Sequence, residues 1–212
     1  LYSSIMTSLG SKTKQIVMEW GIFGEYHVLF NIPVALANAL SSSLIPALTM
    51  AVASHDRQKT LSQIRVSIRF TLLIAIPCSI GMAVLADPLS RMLFPGKNVQ
   101  LLIQLTRVGS FAVLLYSLST ITNAILQGLG HLNLPLYHSM VALVLHLLSL
   151  VLFLYAGLGI YGVVLSNIVF ALIMCFLNQR AIFRHTRFRI DLFRSLVMPM
   201  LSGLIMGGAA YV

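Results

Sequence analysis

Long apolar stretches alternate with short polar breaks along the whole chain. Most stretches approach or exceed the roughly 18–20 residues that a helix needs to cross about 30 Å of hydrocarbon. They predict spanning helices A to F at residues 24–53, 66–86, 98–127, 135–156 and 160–179, and from 195 onward. A soluble domain could not bury this much apolar surface. The pattern therefore predicts an all-α integral membrane protein with about six transmembrane helices.

The polar breaks divide the chain into three predicted parts. Residues 1–23 predict an interfacial segment or the end of a preceding span, with Trp20 suited to an aromatic belt. Residues 24–182 hold five spans and form a transmembrane lobe, and residues 183–212 combine a basic loop with a truncated further span. Because the chain begins without Met and ends inside an apolar stretch, we expect it to be a fragment of a longer polypeptide.

Composition agrees with a membrane location. Apolar residues make up 58% of the chain and charged residues 9%, whereas soluble domains carry about 25% charge. The net charge of +9 lies mostly in the breaks between spans, where membrane topology and anionic headgroups favour it. No nucleic-acid partner is therefore expected.

The basic residues also predict the orientation of the spans. One side of the membrane would hold nine of them, Arg57, Lys59, Arg65, Arg69, Arg180, Arg184, Arg187, Arg189 and Arg194, and the other four, Lys12, Lys14, Arg91 and Lys97. Positively charged loops stay in the cytoplasm. The loops after residues 53, 127 and 179 are therefore predicted to be cytoplasmic, in a multi-pass protein of the bacterial cytoplasmic membrane.

Polar residues inside the spans fall on single helix faces. At 100° per residue, an arc of about 60° on span A holds His27, Asn31, Asn38, Ser42 and Thr49, and a similar arc on span C holds Tyr116, Thr120, Asn123 and Gln127. Asn167 and Asn178 share a face of span E, as His138 and Ser149 do on span D. Such residues either bond a neighbouring helix or line a water-filled path. Pro33 and Pro46 favour the path for span A, because bent helices are common around transport cavities.

Two arginines lie deeper than the predicted interface. Arg107 either extends back to the outer headgroups or points into a cavity, where a guanidinium would suit a pyrophosphate. Arg69 lies just inside span B and has the same two interpretations. Glu25, at the outer mouth of span A, fits an interfacial residue better than a proton carrier.

The sequence carries no recognised enzyme motif. Its six histidines make no metal-binding spacing, and neither a Gly-x-Ser-x-Gly turn nor a phosphate-binding loop occurs. We therefore expect no catalytic residues, no metal and no cofactor. Cys78 and Cys175 lie inside apolar spans, where they predict small packed hydrophobic residues.

A series of short motifs carries a family resemblance. In order they are Phe23-Gly24-Glu25-Tyr26, Ile32-Pro33, Ala39-Leu40-Ser41-Ser42-Ser43-Leu44-Ile45-Pro46-Ala47-Leu48, Ile76-Pro77, Gly81, Val84-Leu85-Ala86-Asp87-Pro88, Leu93-Phe94-Pro95-Gly96, Ile125-Leu126-Gln127-Gly128-Leu129-Gly130, Pro135 and Gly159-Ile160-Tyr161-Gly162. The chain resembles the second half of polysaccharide-biosynthesis membrane proteins of the stage V sporulation protein B type. These belong to the multidrug/oligosaccharidyl-lipid/polysaccharide (MOP) exporter superfamily, with lipid II flippases, O-antigen flippases and multidrug efflux pumps.

The resemblance implies the C-terminal lobe of a MATE-like flippase that moves a lipid-linked saccharide by alternating access between two lobes. The missing first lobe, the lipid-linked substrate and membrane lipids would then be the partners. From the residues themselves we take as candidate substrate contacts Arg107, Arg69, Asn31, Asn38, Ser42, Asn123 and Gln127. Cation-coupled multidrug efflux, an intramembrane glycosyl- or acyltransferase and a non-transporting scaffold remain as alternatives.

Overall fold

The computed structural model describes residues 2–96 and 98–187, which form seven helices joined by short connections. These helices are α1 (Tyr2–Ser8), α2 (Thr13–Ala53), α3 (Arg57–Val84), α4 (Ala86–Leu93), α5 (Val99–Gly128), α6 (Asn133–Tyr155) and α7 (Ile160–Thr186). Five of them, α2, α3, α5, α6 and α7, are long and apolar enough to cross a membrane. They match predicted spans A to E and confirm the all-α membrane fold. Predicted span F, Arg189 and Arg194 lie outside the described residues.

Helix α5 is the centre of the bundle and packs against α2, α3 and α7. Two glycines permit its close approach to α2. The ring of Tyr26 occupies the space where a Cβ on Gly109 would project, and Leu48 lies 2.9 Å from the Cβ position of Gly128. Small residues at such contacts let helices in a membrane pack backbone to backbone. The apolar core follows this axis in two clusters, one around Tyr26 and the other around Leu48.

Helix α6 is the most exposed of the spans and packs mainly on α7. A row of large apolar side chains on α6, Leu136, Met140, Leu143, Val144, Leu147, Leu148 and Leu152, lies exposed. Exposed aliphatic side chains on a spanning helix suit contact with lipid tails. The exposed side of α6 therefore fits the outer surface of the bundle.

Several helices extend beyond the predicted spans. Helix α2 begins at Thr13 rather than near residue 24, and α7 continues to Thr186 rather than ending near 179. Helix α3 begins at Arg57 rather than at 66, since Asp56 caps it by accepting a hydrogen bond from the Lys59 backbone N–H at 2.9 Å. Hydropathy reports where lipid begins, whereas arginine, lysine and glutamine continue a helix into water.

A short helix lies in the connection between α3 and α5. Residues Ala86–Leu93 form α4, with Pro88 in its first turn, where the missing N–H of proline costs nothing. Arg91 Nε donates to Asp87 Oδ1 at 3.0 Å, one turn apart on the exposed face. The polar pair and the proline therefore support a short helix rather than a bare turn.

The loops predicted to be cytoplasmic lie together. His55 of the α2–α3 loop, Leu129 after α5 and Arg187 after α7 all line one cavity at the same end of the bundle. Alternating spans require this arrangement, because the first, third and fifth spans must finish on the same side. Which side faces the cytoplasm stays a prediction from charge.

Candidate functional site

Polar side chains from four spanning helices meet on one cavity of about 590 Å³, which we call the polar cavity. The polar lining includes His27, Asn31 and Asn38 of α2, Tyr116 and Thr120 of α5, His146 of α6 and Asn167 of α7. The stripes predicted on spans A, C and E thus contribute to the same space. Apolar residues Val34, Leu150 and Val163 complete the wall beside them.

Aromatic rings form a continuous wall of the polar cavity. Tyr2 stacks on Trp20 and Trp20 on Phe23, each with ring centroids 5.4 Å apart. Further in, Phe30 meets the edge of Tyr116 at 5.2 Å. Binding sites for small molecules typically combine such apolar and aromatic walls with a few placed polar groups.

Helix α1 covers one edge of this wall. The hydroxyl of Tyr2 donates to Glu19 Oε2, and Gln15 Nε2 donates to Glu19 Oε1 at 2.8 Å. Burial, and then the hydrogen bond to Glu19, raise the pKa of Tyr2 well above its usual range. Tyr2 therefore stays a neutral donor and fixes α1 to the beginning of α2.

Two histidines in the lining have hydrogen bonds that define their roles. Asn31 Nδ2 lies 2.9 Å from His27 Nδ1, so the imidazole accepts at Nδ1 and its proton belongs on Nε2. His146 Nδ1 lies 2.9 Å from the carbonyl oxygen of Ser166, which can only accept. His146 therefore donates at Nδ1, and its Nε2 is the acceptor in the neutral ring. The polar cavity combines donors and acceptors, as a polyhydroxylated ligand would require.

Asn123, a predicted substrate contact, has a different position. Asn178 is fully buried, and its Nδ2 donates to Asn123 Oδ1 at 2.7 Å and to Thr122 Oγ1 at 3.2 Å. The Nδ1 of His138 lies 2.7 Å from Asn178 Oδ1 and donates to it. These bonds join α5, α6 and α7, and Asn123 does not line the polar cavity. The bundle thus contains polar residues of both kinds, those that bond a neighbouring helix and those that line a cavity.

Four other predicted contacts also lie outside the polar cavity. Ser42 is exposed and donates to the Asn38 carbonyl at 3.0 Å, and Gln127 is half-buried. Arg107 and Arg69 are both exposed on the bundle. Of the predicted set, only Asn31 and Asn38 lie on the polar cavity. Among the described residues that line it, there is no Lys, Arg, Asp or Glu.

The aromatic wall and His146 were missed at the sequence level. Trp20, Phe23, His27 and Phe30 recur at helical spacing and share a face of α2, but aromatic residues near a membrane interface also predict an interfacial belt. His146 stands alone in an apolar helix, where no pattern distinguishes it. The aromatic residues of α2 continue the helical spacing of its polar stripe. That shared spacing is the signal that could have revealed the wall.

The fold and the polar cavity define the class of protein. The chain is a multi-pass helical membrane protein with a polar cavity between its spanning helices. The sequence model of the family described as "Lipid II flippase MurJ" matches residues 25–212. The chain therefore belongs to the lipid II flippase MurJ family. Family membership and five span-length helices confirm a multi-pass protein of the bacterial cytoplasmic membrane.

Individual relatives agree with this assignment. The chain is 32% identical over 108 residues to "Lipid II flippase MurJ" of Bacillus subtilis, an alignment covering 48% of this chain and 19% of that protein. It is 26% identical over 151 residues to "Probable lipid II flippase MurJ" of Bdellovibrio bacteriovorus, covering 68% of this chain and 29% of that protein. The chain thus spans less than a third of the length of either curated relative.

A solved structure shows the same fold. "Lipid II flippase MurJ, inward closed conformation" superposes with a TM-score of 0.70 at 17% identity. The match covers 90% of this chain and 40% of that one. The arrangement of helices described above is therefore that of part of a MurJ fold.

Proposed function

We propose that this chain is the C-terminal lobe of a flippase that moves a lipid-linked peptidoglycan precursor across the cytoplasmic membrane. The observation that carries the proposal is the convergence of amide, imidazole and hydroxyl groups from four spanning helices on one cavity. Moving a saccharide through bare hydrocarbon would strip its hydroxyl groups of hydrogen bonds, at a cost of several kcal/mol for each group. Polar groups at that depth would replace the lost water.

The mechanism follows from the two parts of the substrate, a polar saccharide and an apolar lipid tail. The saccharide would occupy the polar cavity, with its hydroxyls bonded to Asn31, Asn38 and Asn167, while its lipid tail remains in the bilayer. A preceding lobe of the same protein would close the open side. Rocking of one lobe against the other would expose the substrate to each side in turn, as in other alternating-access carriers.

The pyrophosphate of such a substrate needs cationic partners. The described lining of the polar cavity supplies none, so we propose that most of these contacts come from the preceding lobe. Arg107 and Arg69 remain candidates, although both are exposed on this lobe. A contact from either arginine would have to form outside the polar cavity.

We also propose that the chain is related more narrowly to membrane proteins of the stage V sporulation protein B type. This relationship is supported by the ordered motifs from Phe23-Gly24 to Tyr161-Gly162. Multidrug efflux and intramembrane transferase chemistry gain no support, because no Asp or Glu lies among the described lining residues.

The test uses the full-length protein in cells that depend on it for lipid II export. Asn31→Leu combined with Asn38→Leu removes two amides at nearly constant side-chain size and should abolish exposure of lipid II on the outer surface. Val28→Leu, an exposed position of α2 outside the polar cavity, is the matched control and should behave like the wild type. Normal export by the double variant would refute the proposed substrate site.

A further inference from the structure

Basic side chains gather on a second cavity, at the end of the bundle where α2, α5 and α7 finish. This cavity has a volume of about 490 Å³, and its basic lining consists of His55, Arg57, Arg184, His185 and Arg187. It shares no lining residue with the polar cavity. We call it the basic end pocket.

The lining of the basic end pocket joins two kinds of surface. The three arginines are exposed, whereas Val52, Leu61 and Leu129 are half-buried. Cationic groups open to water thus stand beside aliphatic side chains at the ends of spanning helices. That combination suits a charged group attached to an apolar body.

Two helices end at the basic end pocket with a residue of positive φ. His55 and Arg187 have φ angles of 55° and 54°, and among the described residues no other non-glycine has a positive φ. The left-handed region costs an L-residue about 1–2 kcal/mol. Arg187 is the left-handed C-cap of α7, and His55 directly follows the C-cap of α2, so both angles belong to the ends of these helices. Both residues line the basic end pocket.

Positive charges gathered here repel one another. Asp56, between His55 and Arg57 in sequence, caps α3 through the Lys59 backbone N–H. Within the part of the chain that the structure describes, no ion pair involves the three arginines. His131 adds a further imidazole, its ring centroid 4.0 Å from that of His185. A bound anion would relieve this repulsion.

The rule that basic residues stay in the cytoplasm does not account for the clustering. Lys59 and Arg180 belong to the same end of the bundle, yet neither lines the pocket. The rule needs only charge on that side of the membrane, and scattered residues would satisfy it. The gathering of arginines on one cavity calls for a local cause.

We propose that the basic end pocket binds a phosphate group, carried either by an anionic phospholipid of the adjoining leaflet or by a soluble phosphate compound. Arginine donates hydrogen bonds in a fork that matches phosphate oxygens. Val52, Leu61 and Leu129 would contact the glycerol and first acyl carbons of a lipid.

The test compares charge-matched variants of the full-length protein. Arg57→Gln with Arg184→Gln removes two charges from the pocket, and Lys59→Gln with Arg180→Gln removes two charges beside it. Binding of phosphatidylglycerol is titrated by native mass spectrometry in detergent. In parallel, the melting temperature is followed with inorganic phosphate at constant ionic strength.

The pocket variant should bind phosphatidylglycerol about tenfold more weakly than the wild type, and the control should stay within about twofold. If the ligand is soluble, inorganic phosphate will instead raise the melting temperature of the wild type and the control but not of the pocket variant. Arg57→Lys with Arg184→Lys should recover part of the binding, because charge returns without the fork. Equal behaviour of pocket variant and control in both arms would overturn the proposal.

The replaced arginines are exposed, so their substitution should leave folding intact. Circular dichroism and gel filtration check this for each variant. If the double variant does not fold, the single variants Arg57→Gln and Arg184→Gln decide the matter. Each should weaken phosphatidylglycerol binding by about threefold, roughly half the logarithmic loss. Single variants that bind like the wild type would equally overturn the proposal.

Discussion

Asn178 should contribute more to stability than any other amide in the described part of the bundle. Its side chain is fully buried and bonded to His138, Asn123 and Thr122 at 2.7, 2.7 and 3.2 Å. Asn178→Leu preserves the branched shape and removes all three bonds. Interhelical hydrogen bonds in membranes average about 0.6 kcal/mol, so the loss should be about 2 kcal/mol. That corresponds to about a 30-fold change in the unfolding equilibrium.

The measurement is the free energy of unfolding of the full-length protein, followed by helicity during titration with sodium dodecyl sulfate. Asn167→Leu is the matched control, because Asn167 shares the face of α7 but lines the polar cavity. We expect it to change stability by less than about 0.5 kcal/mol while reducing lipid II export. Unchanged stability of Asn178→Leu, or an equal loss in both variants, would refute the assignment of Asn178 to helix packing.

Three further outcomes are expected of the full-length protein. Gly109→Ala should lower stability by about 1–3 kcal/mol in the same titration, because its methyl group would overlap the Tyr26 ring; Tyr26→Leu should recover part of the loss. A cysteine at Asn38 should react with a water-soluble thiol reagent and one at Leu36 should not, and equal labelling would contradict a wet cavity. Arg107 lies outside the polar cavity, so Arg107→Ala should lower lipid II export only in part and Arg107→Lys by less; export at the wild-type level for both would mean that Arg107 only reaches the headgroups.

The number and order of the spans were predictable because they depend on local hydropathy. Five of the six predicted spans correspond to helices of the structure, and the sixth lies outside the described residues. Their ends were not predictable in the same way. Arg57 begins α3 and Thr186 ends α7 because charged residues continue a helix beyond the lipid boundary that hydropathy detects.

The sequence predicted which polar residues share a helix face, but not what each of them contacts. Thr120 and Asn123 lie on the same arc of α5, yet Thr120 lines the polar cavity and Asn123 bonds to Asn178. On α7, likewise, Asn167 lines the polar cavity and Asn178 bonds to Thr122 of α5. The angle of a residue around its helix follows from its position in sequence. What stands opposite depends on where neighbouring helices cross.

Three properties of the protein could be read from its amino-acid sequence: that it is a helical membrane protein, which loops share a side, and which helix faces carry polar groups. These properties follow from transfer free energy and from the 3.6-residue period, both of which act within a single helix. The packing of the helices was needed to show that Asn31 and Asn38 share a cavity with His146 and that Arg107 does not line it. It was also needed to show that Arg57 and Arg184 line one pocket at the end of the bundle. Those juxtapositions depend on packing between helices distant in sequence, which no local pattern records.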